Sequence, residues 1–336
     1  MNLPVALRIL LWPLSVVYGA IVRLRAGLYA RGVFKAKRLK GAVISVGNLT
    51  VGGTGKTPMV IWLAEKFLAR GKRVAILSRG YRGANGTSDE IELMKARLGE
   101  RVAFGVGKDR FAEGHRIEAQ GPVDIFLLDD GFQRLSLARD ADVVLVDATR
   151  PLHKELLLPA GRRREPSSAL GRADAVVFTR VEPQDSVRGA IDEFPQLPIF
   201  AATIRLLGYC RLAGDGKLAV VEQESLPEPV FVFCGIGNPE AFFADVERWG
   251  IKVSGRTSFR DHHAYGERDL KRLQDAAERA GAATLLTTEK DAQKLRDVRA
   301  ISLPIYFCRI AMEMREENAF FGVLERKLSA RGGAAA

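Results

Sequence analysis

At 336 residues the chain is long enough for two domains of ordinary size, and with 47% apolar residues it can bury substantial cores, which excludes a disordered protein. Its formal charge of +11 favours an anionic partner: nucleic acid, an acidic membrane or a phosphorylated substrate. Cys210, Cys234 and Cys308 are far apart and form neither a CxxC step nor a metal-ligand spacing, so reduced structural thiols of a cytoplasmic protein are expected rather than a disulfide framework.

Residues 1–40 carry eight basic side chains (Arg8, Arg23, Arg25, Arg31, Lys35, Lys37, Arg38, Lys40) and no acidic ones. Within them, residues 9–22 are a run of 14 uncharged, mostly apolar residues. A spanning helix needs about 20. Pro13 interrupts the run, and no small-residue cleavage site precedes the basic stretch. The segment reads as a helix lying in a membrane interface, with Trp12 and Tyr18 at headgroup level. Each basic residue near an anionic leaflet adds roughly 1 kcal/mol at best. A helix buried on the core is the alternative.

Short apolar runs then alternate with helical patterns. Residues 42–46 predict a buried strand, followed by a Gly-rich loop and a helix over 57–69. Further strands are expected at 73–77, 123–128, 143–146 and 175–178, which together indicate a parallel sheet covered on both faces. Residues 208–229, with three glycines and two prolines, read as a linker. A second alternation follows: a strand at 230–234, a helix capped by Asn238 with Pro239 at its first position and ending at Gly250, a helix at 267–280, and strands at 284–286 and 305–307. Residues 331–336 are small and featureless, and fraying is expected there. The fold class is therefore α/β: an N-terminal interfacial segment (1–40), a P-loop NTPase-like parallel-sheet domain (41–207), the linker, and a smaller Rossmann-like α/β domain (230–330) completing a cleft.

Strand, Gly-rich loop and helix enclose Thr50, Val51, Gly52, Gly53, Thr54, Gly55, Lys56 and Thr57. Glycines let backbone amides turn toward phosphate oxygens, and the helix N-terminus adds partial positive charge. Lys56 would reach the β- and γ-phosphates of ATP, and the Thr57 hydroxyl would hold Mg²⁺. The usual pattern, GxxxxGK[ST], has Gly at its first position, where this chain has Thr50. A metal-side carboxylate belongs at the end of a neighbouring strand. Asp129 and Asp130, followed by Gly131, suit that place, and Asp147 competes for it. Arg79 and Arg110 are candidates for substrate or nucleotide phosphates, because guanidinium matches phosphate bidentately.

The chain resembles the tetraacyldisaccharide 4′-kinase family, the lipid A 4′-kinases of Gram-negative bacteria. The matching segments are Ser45-Val46-Gly47-Asn48-Leu49-Thr50, Ser78-Arg79-Gly80-Tyr81, Asp129-Asp130-Gly131-Phe132-Gln133, Leu158-Pro159-Ala160-Gly161 and Arg164-Glu165-Pro166 in the first half. The second half adds Gly235-Ile236-Gly237-Asn238-Pro239, Phe259-Arg260-Asp261-His262 and Thr288-Glu289-Lys290-Asp291. They occur in the family's order across nearly the whole chain, and the Thr50 departure is the family's own habit.

The resemblance implies transfer of the ATP γ-phosphate to the 4′-hydroxyl of an acylated glucosamine disaccharide 1-phosphate by a peripheral protein on the cytoplasmic face of the inner membrane. It implies an Asp–His pair as base, here Asp89 and His262, drawn from different domains so that closing the cleft completes the site. Glu165 would join the Mg²⁺ shell, with Arg164 and Gln133 near phosphate. Two positions depart from the family: Arg260 replaces the usual Pro, and Arg134 replaces the usual His and cannot act as a base. A four-chain lipid leaves the bilayer at about 0.8 kcal/mol per exposed CH₂, so the apolar N-terminus would bring the enzyme to the membrane. A membrane-associated P-loop ATPase switch is the alternative. Guanine specificity is disfavoured, since no Asn-Lys-x-Asp follows a strand, and no aromatic stacking motif or zinc finger supports nucleic-acid binding.

Overall fold

The computed structural model describes residues 4–80, 88–150, 152, 155–181, 196–212, 225–295 and 301–333. These form two compact units, one made of 1–80, 98–203 and 312–336, the other of 81–97 and 204–311.

In the first unit, strands β1 (Ala42–Asn48), β2 (Val74–Ser78), β3 (Val102–Val106), β4 (Ile125–Asp129), β5 (Ala141–Asp147), β6 (Ala175–Thr179) and the start of β7 (Ile199–Arg211) pair in parallel in the order β3-β2-β4-β1-β5-β6-β7. β4 and β5 are buried along their whole length, as expected of strands covered on both faces. Two core clusters line the sheet, one around Val43, Leu77, Ile117 and Phe126, the other around Phe132, Val146, Val176 and Leu170.

Four helices accompany these strands: α1 (Val5–Ala30), α2 (Lys56–Ala69), α4 (Arg110–Gln120) and α8 (Glu317–Gly333); α3 (Asp89–Leu98), between them in sequence, falls almost wholly in the second unit. α8 rests Phe320 and Phe321 against Trp62 of α2, with Arg70 over the Phe321 ring. Arg331, expected in a fraying tail, instead donates to Asp140 and to the carbonyls of Leu39 and Lys40.

α1 runs unbroken through Pro13 and is about 39 Å long at 1.5 Å per residue. It extends the apolar run in both directions, so by length and composition it could also cross a membrane. Only Ser15 and Gly19 are buried, while Ile9, Leu10, Trp12, Val17 and Leu24 are exposed.

The second unit orders the parallel strands β11 (Ile305–Met314), β10 (Thr284–Thr288), β8 (Val230–Cys234) and β9 (Val253–Ser258). It holds α5 (Pro239–Arg248), α6 (Glu267–Arg279) and the short α7 (Glu289–Ala292) besides α3. Two differences from expectation matter. Residues 208–211, expected in a linker, finish β7, where Cys210 is buried; 213–224 lie outside the described residues. Asn238 precedes α5 without a side-chain cap bond. All three cysteines are buried and free.

Candidate active site

β1 ends at Asn48, and its amide group fixes the loop that follows. Asn48 Nδ2 donates to Thr54 Oγ1 at 2.9 Å, and Thr179 Oγ1, at the end of β6, donates to the Thr54 carbonyl at 3.1 Å. Gln133 Nε2 donates to the Asn48 carbonyl at 3.0 Å. Gly52 and Gly55 take φ of 115° and 86°, values that favour glycine. Gly55 precedes α2, and no side chain caps that helix, so its first amides point outward without an intrahelical acceptor. A pocket beside the loop is lined by Thr50, Gly52, Gly53, Thr54, Arg150 and Arg162 among others.

Lys56 and Thr57 open α2, and Lys56 Nζ lies 3.5 Å from Asp130 Oδ1. Asp130, in the left-handed region at φ 52°, also accepts from Arg164 through both oxygens at 2.7 Å. Burial would raise its pKa, but Lys56 and Arg164 outweigh this and hold it at about 2. Asp129 is buried and accepts from Ser78 Oγ at 3.0 Å. Asp147 accepts from the Thr149 amide and hydroxyl and from Arg180, the pattern of a strand-end cap.

The arginines divide by role. Arg110 is buried and donates to the carbonyls of Gly107 and Lys108. Desolvation, then Arg134 and Arg79, lower its pKa to about 10. Desolvation, then Arg79 and Arg25, likewise lower that of Arg134. Arg79, Arg110 and Arg134 follow β2, β3 and β4, at the carboxyl ends of parallel strands where ligands bind in open α/β sheets. Glu165, next in sequence to Arg164, is buried, with Arg172 donating to it at 2.8 Å. Among the described residues, no three His, Cys, Asp or Glu side chains gather to hold a metal.

The second unit contains the Asp–His pair. His262 Nδ1 lies 3.1 Å from Asp89 Oδ2. Asp89 falls in this unit with His262, so their hydrogen bond needs no closure between domains; this corrects the expectation from sequence. His262 has φ 60°, and its amide donates to the Gly235 carbonyl at 3.1 Å. Its Nε2 lies 3.8 Å from Glu90 and 3.9 Å from Asp261. At 3.9 Å the Asp261 carboxylate is beyond hydrogen-bond distance of His262 Nε2.

Lys294, 3.3 Å from Asp89, is itself 3.1 Å from Asp291, which accepts from the Gly235 amide. Burial acts to raise the Asp89 pKa, but the His262 hydrogen bond, then Lys294 and Lys290, hold it at about 2. Lys290 pairs with Glu90 at 2.6 Å. Sequence reasoning gave no role to Asn48, Thr179, Lys290 or Lys294, although Asn48 and Lys290 stand in the family-like segments; the contacts that engage them form only in the fold. His263 stacks on Phe259 and bonds Asp269, and His115 is exposed beside Phe111; Tyr81 and His153 lie outside the described residues.

The family model described as Tetraacyldisaccharide-1-P 4′-kinase matches residues 7–329. The tetraacyldisaccharide 4′-kinase of Geobacter metallireducens is 39% identical over 341 residues, covering 95% of this chain and 98% of that protein. That of Geobacter sulfurreducens is 42% identical over 321 residues, covering 90% and 87%. Among solved structures, LpxK from Aquifex aeolicus in complex with ATP matches with a TM-score of 0.71 at 32% identity, covering 96% of this chain and 99% of that one.

Proposed function

The chain belongs to the tetraacyldisaccharide-1-P 4′-kinase family, and on that premise we propose how its residues carry the reaction. It is an ATP-dependent phosphotransferase of lipid A biosynthesis. In our reading the acceptor is the 4′-hydroxyl of an acylated glucosamine disaccharide 1-phosphate.

Residues 50–57 cradle the nucleotide phosphates, with the first amides of α2 and Lys56 Nζ on the oxygens that gain charge. Mg²⁺ neutralises phosphate charge when bound. Thr57, Asp129 and Asp130 fit it, since this ion usually takes one or two carboxylates and keeps phosphate and water ligands. Glu165, which accepts from Arg172 through one oxygen, would join this shell directly or through water. Gln133 and Arg164 fix the loop and Asp130, while Arg79 and Arg110 supply positive field for anionic groups.

Asp89 Oδ2 is already engaged by His262 and Lys294, so in our reading the imidazole takes the proton. His262 Nε2 accepts it from the 4′-hydroxyl as that oxygen bonds to the γ-phosphorus. The bond from the γ-phosphorus to the β-phosphate oxygen breaks, and ADP leaves. Asp89, with Glu90 and Asp261 farther off, stabilises the resulting imidazolium.

The oriented imidazole is the observation that carries this reading, because an alcohol needs a base at neutral pH. Incubation with γ-labelled ATP, Mg²⁺ and the lipid disaccharide should place label in the organic phase. Label appearing only as free phosphate would favour an ATPase switch instead.

The exposed apolar side of α1, with its acid-free basic flank, supports a peripheral or monotopic attachment to the anionic cytoplasmic face of the inner membrane. Deleting residues 1–25 should release the protein from anionic vesicles. Retention would refute this attachment.

A further inference from the structure

The inner side of α1 is pinned to the segment 156–164. Ser15, only 4% exposed, donates to the Leu157 carbonyl at 3.0 Å and accepts from the Ala160 amide at 3.0 Å. A Cβ on Gly19 would come within 2.8 Å of Leu157 Cδ1, so the helix and this segment are in close contact. Tyr18 donates its hydroxyl to the Arg164 carbonyl at 2.9 Å. Burial first, then Glu165, raises the phenol pKa, so it stays a donor throughout the working range.

The same segment holds the phosphate loop. The Val51 amide donates to the Arg162 carbonyl at 2.8 Å, and Arg162 returns a bond to the Val51 carbonyl at 2.6 Å. The Arg164 amide donates to the Leu49 carbonyl at 2.7 Å, and its guanidinium grips Asp130, which faces Lys56. Arg164 thus links the Tyr18 hydroxyl to Leu49, just before the loop, and, through Asp130, to the loop's lysine.

We propose that Tyr18 and Ser15 are positioning residues of the nucleotide site, through which the docking of α1 sets the geometry of the phosphate loop and of Lys56. The proposal rests on residues 50–57 being the ATP loop. It gives α1 a second task, distinct from any contact its outer face makes: the helix buttresses the segment that holds the phosphate loop. Losing the Tyr18 hydroxyl frees the Arg164 carbonyl, which loosens the guanidinium on Asp130 and the backbone bond to Leu49.

The test uses full-length protein in detergent, without lipid acceptor, and measures the dissociation constant for ATP with Mg²⁺. Tyr18→Phe should weaken ATP binding by about three- to tenfold, the range expected for one lost hydrogen bond. The KM for ATP should rise by the same factor while kcat at saturating ATP and the melting temperature hold. Ser15→Ala should act in the same direction. In an Arg164→Gln background, Tyr18→Phe should have little further effect, since the two act in series.

Unchanged ATP affinity in both Tyr18→Phe and Ser15→Ala, with Lys56→Ala losing ATP, overturns this inference alone. Wild-type ATP affinity in Lys56→Ala overturns the loop assignment and the inference with it. An undiminished Tyr18→Phe effect in the Arg164→Gln background also overturns it, because the hydroxyl would then act by another route.

Discussion

Asp89→Asn removes one charge and almost no volume, and it isolates what the carboxylate does for His262. In the proposed reaction the imidazole becomes a cation, and its Nδ1 lies 3.1 Å from Asp89 Oδ2 in the resting structure. Two charges about 4 Å apart attract by about 4 kcal/mol at an effective dielectric near 20. Lys294, at 3.3 Å, already uses part of that carboxylate's charge. The share lost on substitution is therefore about 3 kcal/mol, or roughly two orders of magnitude in kcat. The amide can also donate to Nδ1, which would turn the imidazole to a tautomer with its proton on Nε2, where it cannot accept the acceptor's proton. Transfer of labelled γ-phosphate to the lipid should fall about 100-fold, with ATP affinity kept within about twofold, because the attraction between the carboxylate and a cationic imidazole develops only in the transition state. A kcat within about threefold of wild type, with the same ATP affinity, would refute the pair as the base.

Three other outcomes follow from the same geometry. Arg97 donates to both oxygens of Glu289, with side chains 9% and 10% exposed; Arg97→Met should destabilise by about 3–5 kcal/mol in urea unfolding, while the double variant Arg97→Met/Glu289→Leu should recover most of that loss. A Cβ at Gly47 would lie 2.5 Å from Phe132 Cβ, so Gly47→Ala should cost about 1–3 kcal/mol in the same assay and displace the loop after β4. The lowered pKa of Asp89, about 2 against an ordinary 3.8, adds stability that is complete above the ordinary value and is lost as pH falls toward 2; urea midpoints of wild type and Asp89→Asn should differ at pH 7 and converge near pH 2.

The fold was legible wherever the chain made continuous apolar runs. β1, β8 and the helices after them stand close to where the sequence puts them, because strands buried on both faces and helices opened by Gly-Lys-Thr or Asn-Pro leave few alternatives. β3 was not legible: its pattern in Val102–Val106 mixes a glycine with exposed and buried positions. β7 was missed for a related reason, since its second half passes through Gly208, which sequence reads as a break. Asp89 was legible only through a family pattern. Its place beside His262 depends on the segment 81–97 joining the second unit, which no local periodicity reveals.

The triple arginine 162–164 marks the limit of reading charge as surface. A basic run is ordinarily a solvated face. Here Arg162 and Arg164 are half-buried, and their chemistry is spent on the loop: one bonds the Val51 carbonyl, the other clamps Asp130. Desolvating a guanidinium is costly unless its donors are matched. These residues meet that cost by bonding the backbone and carboxylate that define the phosphate site. The net charge of +11 therefore overstates the charge left free at the surface, and for the proposed membrane attachment the acid-free stretch of residues 1–40 is a better guide than the total.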